Sequence, residues 1–151
     1  MHNYTKIAAS TLSGFLIARF GWVGALVVVW VVAMTLDSLT GSAAAIKAGE
    51  WSSAVARKGL FHKGGSIAVV LVAALAQMCI EIATQGGIPI PQTLRELLLP
   101  LVLAWYILTE SGSIVENAVK LGAKSPKWLK DTIDKAKDAV DGEGDDTNTA
   151  D

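Results

Sequence analysis

The 151 residues are 52% hydrophobic and 18% charged, with a mean hydropathy of +0.44 and a formal net charge of −1. Such a chain is too apolar for a water-soluble domain of its size and reads as a small membrane protein. The near-neutral total hides segregation, since residues 66–80 carry no charge while 120–151 hold six Lys and eight acidic residues, so net charge gives no argument for a nucleic-acid partner.

The chain opens with Lys6, an apolar run Ile7 to Ala18, and Arg19. This resembles a secretory signal, but FGWVGA continues into a second apolar stretch where a cleavage site and a polar mature chain would follow, so the segment is read as retained. It is short for a span, and Ser10, Gly14 and Ala18 recur every four residues, a small-residue face that lets another helix approach. The run is either a short fourth membrane helix hairpinned onto the first span at Phe20-Gly21 or an interfacial segment.

A spanning helix needs roughly 20 apolar residues, because the hydrocarbon core is about 30 Å thick and each residue rises about 1.5 Å. Three stretches approach this: 20–36, with Trp22 as an interfacial anchor; 64–84; and 94–110, where Pro100 predicts a kink. Between the first two, residues 37–63 read as a cytoplasmic loop. It holds an Ala-rich helix over 40–48 closed by Gly49, and a second short helix N-capped by Ser52 and lying along the inner membrane surface. Lys and Arg concentrate in this loop and after Lys120, whereas the GGIPIP turn is almost uncharged. The positive-inside rule then puts the loop and the C-terminus in the cytoplasm. The N-terminus is outside with three spans and inside with four helices.

Ser125-Pro126 starts a cytoplasmic amphipathic helix within 120–140, whose Trp128, Leu129, Ile133, Ala136 and Val140 recur at three- and four-residue spacing. Residues 141–151, Gly-rich and acidic, read as a disordered tail. The fold class is thus an all-α integral membrane protein of three spans, a short N-terminal apolar helix and amphipathic cytoplasmic helices, with residues 1–119 as its membrane domain.

Candidate chemistry is sparse. No nucleophile elbow, phosphate-binding glycine loop or paired catalytic carboxylates appear, which argues against an enzyme. Cys79 is the only cysteine, inside an apolar run, so an internal disulfide is excluded, and His2 and His62 lack ligand-spaced neighbours. No metal or cofactor is assigned. Gln77, Glu81 and Thr84 form one polar stripe on the second span, near its outer end; Gln77 and Glu81 either take an interfacial or helix-packing role or line a pore. Asp37 and Glu110 end their spans at the level where Arg57, Lys58 and Lys63 enter the next, so they form either an inner ionic belt or independent solvated termini. Glu110, Ser113 and Asn117 share a helix face, and Glu116 precedes Lys120 at ion-pair spacing.

Three ordered motifs carry a family resemblance. Asp37-x-x-Thr40-Gly41 follows the first span, Ser52 with Gly59-Leu60 and Lys63 precedes the second, and Tyr106, Glu110, Ser113, Glu116-Asn117, Gly122 and Pro126 close the third. Together they resemble phage holins of the toxin-secretion and phi29-like lysis type, over roughly residues 20–130. The resemblance implies a bacteriophage protein of the host cytoplasmic membrane that assembles with copies of itself and opens lesions. An endolysin, or in relatives a toxin, passes as cargo, and an antiholin is a partner in some systems. An antiholin of the same fold, a small oligomeric channel or transporter, and a structural membrane scaffold are the alternatives.

Overall fold

The computed structural model describes residues 2–146 and is built of helices: α1 (His2–Ala48), α2 (Ser53–Gln85), α3 (Gln92–Leu121) and α4 (Lys127–Asp146). Three stretches are long and apolar enough to cross a membrane, Gly21–Ala48, Ser53–Gln85 and Gln92–Leu121. The apolar run before them is helical in backbone and continuous with α1 until Gly21, whose φ of 57° and ψ of −135° break the helix. A side chain is strained at such angles, so glycine is what permits the change of direction.

The expected loop over 37–63 is a correction. Only Gly49 to Ser52 lie outside helices, and the two short loop helices are the ends of α1 and α2, so the second continues into a span and does not lie along the surface. The polar residues after Met34 do not stop α1, because Thr35, Ser38 and Thr40 turn their hydroxyls back onto carbonyls one turn earlier, at 2.8–2.9 Å. The turn is where the sequence placed it: Gly49 takes a left-handed φ of 73°, Gly49 and Glu50 donate to the last carbonyls of α1, and the Ser52 hydroxyl accepts from Val55 N–H at 3.2 Å. Four connecting residues turn α2 back antiparallel to α1. At the far end, α4 is helical through Asp146 where a disordered tail was expected from Asp141; residues 147–151 lie outside the described residues.

α3 is the hub, packed against α1, α2 and α4, while α1 and α2 barely touch. One residue from each span, Trp30, Val70 and Leu103, forms the buried centre, with Leu26, Val27, Met34, Leu99, Tyr106 and Ile107 around it. Beyond this the apolar side chains face outward; Leu71, Val72, Leu75 and Ile82 of α2 are each about 60% exposed. In water that surface would be untenable, whereas in lipid it is the natural exterior, and packing between helices then rests on close contact and polar links.

Candidate functional site

The polar links concentrate in one layer. Lys63, on α2, donates to Asp37 Oδ2 of α1 at 3.0 Å and to Glu110 Oε2 of α3 at 2.8 Å, so one ammonium ties all three spans together. The three side chains are 16%, 19% and 9% exposed. Asn117, two helical turns beyond Glu110 on the same face, donates from Nδ2 to Asp37 Oδ1 at 3.1 Å and reaches Thr40 Oγ1 at 3.5 Å. A Cβ on Gly41 would sit 3.3 Å from Asn117 Nδ2, so the missing side chain is what lets Asn117 close on α1. The Asp37, Thr40, Gly41 spacing therefore has a physical meaning: at i, i+3 and i+4 the three residues present an acceptor, a hydroxyl and a gap to one asparagine.

This is the inner ionic belt, in narrower form than its candidates allowed. Lys63 alone carries it; Arg57 and Lys58 are exposed and make no ion pair among the described residues. Ser113 is half-buried on the expected face but makes no side-chain hydrogen bond among the described residues. Glu116 does not pair with Lys120; it pairs with Lys130 of α4 at 3.1 Å, a tertiary contact that local spacing could not reveal. That contact and Asp134 hold the exposed Lys130 ammonium above its ordinary pKa of 10.5, chiefly through the Glu116 hydrogen bond. A raised lysine pKa favours the docked helix at neutral pH, and the contribution disappears as pH climbs past 10.5 and through the raised value.

The remaining motif residues are structural. Tyr106 packs 6.2 Å from Trp30 and edge-on to Trp105 at 5.1 Å, centroid to centroid. Gly122 ends α3 in the left-handed region at φ 104°, and Lys47 of α1 donates to the free carbonyls of Lys120 and Leu121 at 3.2 and 2.7 Å. Pro126 accepts from Leu129 N–H as α4 begins. Gly59 and Leu60 line a groove between the inner ends of α1 and α2, with Leu60 largely exposed.

At the other end of the spans the Gln77–Glu81 stripe divides. Glu81 is exposed, whereas Gln77 inserts its amide into α3: Nε2 donates to Arg95 C=O and Oε1 accepts from Leu99 N–H at 3.2 Å. Those are the two groups that would pair with each other in an unbroken helix. Pro100, one residue on, supplies no N–H, and the side chain from α2 keeps the neighbouring backbone satisfied within the apolar layer. Sequence reasoning missed this role, although a proline inside a span is itself the signal that a neighbour must supply polar groups. Ser10, Gly14 and Ala18 are all exposed, and a Cβ on Gly14 would meet nothing within 4 Å.

The family model described as the bacteriophage holin family matches residues 14–138, which includes every residue of the ionic layer. The chain belongs to that family. Membership makes this holin-type protein a non-enzymatic membrane protein, in keeping with its three apolar helices. The chain is 28% identical over 131 residues to an uncharacterised 14.9 kDa protein from the nagH 3′ region of Clostridium perfringens, covering 87% of this chain and 91% of that one. It is 34% identical over 115 residues to uncharacterised proteins of Listeria monocytogenes (Lmo0128) and Listeria innocua (Lin0175), covering 76% of this chain and 73% of each relative. No solved structure matches.

Proposed function

We propose that the protein acts as a holin: it accumulates in the cytoplasmic membrane of a bacterial host, assembles with copies of itself, and opens lesions through which an endolysin escapes to the cell wall. The family match over residues 14–138 carries this reading. The fold supports it, because most of the apolar surface of each chain faces outward and is available to lipid or to another copy. Positive-inside reasoning supports a cytoplasmic position for the inner span ends, from which α4 starts, since Lys47, Arg57, Lys58, Lys63, Lys120 and Lys124 all belong to the ends gathered around the ionic layer. Homo-oligomerisation through the Ser10, Gly14 and Ala18 face belongs to the same proposal. The absence of charge at the span centres separates it from a substrate-specific transporter, whose site would lie near the midplane.

The test is induction in bacteria with viable count and entry of a membrane-impermeant dye followed together, with and without a co-expressed endolysin. A holin gives an abrupt loss of viability and dye entry, with lysis when the endolysin is present. An intact barrier at high membrane levels refutes lesion formation. In that case, delayed lysis on co-expression with a known holin identifies an antiholin.

A further inference from the structure

α4 runs back along α3 to a depth where a charged helix has no place in a sealed bilayer. Lys130 meets Glu116; Ile133 Cγ2 lies 3.9 Å from where a Gly112 side chain would begin; Lys137 Nζ sits 4.4 Å from the Trp105 ring centroid; and Val140 shares a cleft with Leu101 and Val102. These contacts step down α3 past Glu110, the residue that marks the ionic layer, to Leu101 nine residues further on, about 13 Å at about 1.5 Å per residue. The apolar side of α4, with Ile133, Ala136 and Val140, is half-buried, and Lys135 and Asp138 are exposed on the other side at that depth. The spans themselves have nothing comparable. No charge falls between Asp37 and Arg19, between Lys63 and Glu81, or between Glu96 and Glu110. A water-filled opening needs a wall that water can wet, and a charged side chain facing lipid at this depth is strongly disfavoured.

We propose that α4, docked along α3, forms the water-facing wall of the lesion, with Lys135 and Asp138 turned to the opening. The proposal rests on the lesion-forming function proposed above and assigns that role to a helix outside the three spans. At 20 residues α4 is about 30 Å long, enough to reach most of the way across the hydrocarbon core.

The experiment uses the full chain in dye-loaded phospholipid vesicles, in a Cys79→Ala background. The variant Lys135→Leu with Asp138→Leu removes one charge of each sign, leaves net charge unchanged and alters only exposed positions. It is expected to slow dye release at least tenfold, while Lys135→Gln with Asp138→Asn stays within about twofold of the parent. In a second arm, Val102→Cys and Val140→Cys are joined by a reducible bis-maleimide to hold α4 against α3, and release within about twofold of the parent is expected. Release that is abolished by the crosslink and restored by reduction overturns the proposal, because α4 would then be a cover that must leave. Unchanged release by the double-Leu variant also overturns it. A parent chain that inserts but releases no dye overturns the lesion-forming function itself, so the two failures are distinct.

Discussion

Replacing Lys63 removes the cation that joins the three spans. It makes two charge-assisted hydrogen bonds, at 3.0 and 2.8 Å, with side chains that are 19% and 9% exposed. Such bonds contribute roughly 1.5–3 kcal/mol each, and removing one partner of a buried ion pair costs roughly 3–5 kcal/mol because the other charge is stranded. Lys63→Met strands two carboxylates facing each other, so a loss of about 3–5 kcal/mol is expected. Glu110→Gln leaves one cation with one anion and keeps an acceptor, so its loss is expected to be smaller, about 1–2 kcal/mol. Unfolding in mixed micelles by titration with a denaturing detergent, followed by tryptophan fluorescence, measures both. Asp37→Asn and Lys63→Gln, singly and together, complete a double-mutant cycle whose coupling is expected to exceed about 1 kcal/mol. Purely additive effects, or a Lys63→Met variant within about 0.5 kcal/mol of the parent, the ordinary range of surface substitutions, would refute the reasoning.

Three further outcomes are expected. Gln77→Leu removes the amide bonded to Arg95 C=O and Leu99 N–H and should lower stability by about 1–3 kcal/mol, roughly 0.5–1.5 kcal/mol for each of two lost hydrogen bonds; changed amide exchange at Leu99 in micelles would show where. Gly21→Ala places a side chain at φ 57° and ψ −135° and should cost about 1–3 kcal/mol unless the helix straightens, which a spin-label distance between residues 14 and 30 would detect. Gly14→Leu fills an open, exposed position without clash inside one chain, so monomer stability should hold while chemically crosslinked oligomers decline; unchanged oligomers would remove that face from the assembly.

The spans were legible from hydropathy because Trp22 to Leu36 and Gly64 to Ile80 contain no charge, and lipid imposes that requirement over a known length. Turn chemistry was legible too: Gly49 and Ser52 act as read, since one needs a left-handed backbone and the other needs only the next turn's N–H. Element boundaries were not. Asp37, Thr40 and the alanines after them look like a loop by polarity, but side chains that bond back to their own helix remove the reason to stop. The ionic layer was half legible: co-location of Asp37, Lys63 and Glu110 followed from counting residues along each span, whereas the selection of Lys63 over Arg57 and Lys58 depends on helix rotation. Glu116 with Lys130 and Gln77 with Arg95 and Leu99 lay beyond local pattern, because both join elements whose approach only packing decides.

The spacing of charges along the spans bears on how copies would gather in the assembly proposed above. Lys63 to Glu81 is eighteen residues, about 27 Å, and Glu96 to Glu110 is fourteen, about 21 Å, against a hydrocarbon thickness of about 30 Å. A bilayer of that thickness would have to thin around these uncharged stretches. Neighbours that share one thinned patch deform less membrane than neighbours apart, a mismatch force that needs no specific interface. Clustering is accordingly expected to strengthen in long-chain phosphatidylcholine vesicles and weaken in short-chain ones, which energy transfer between labelled copies would measure.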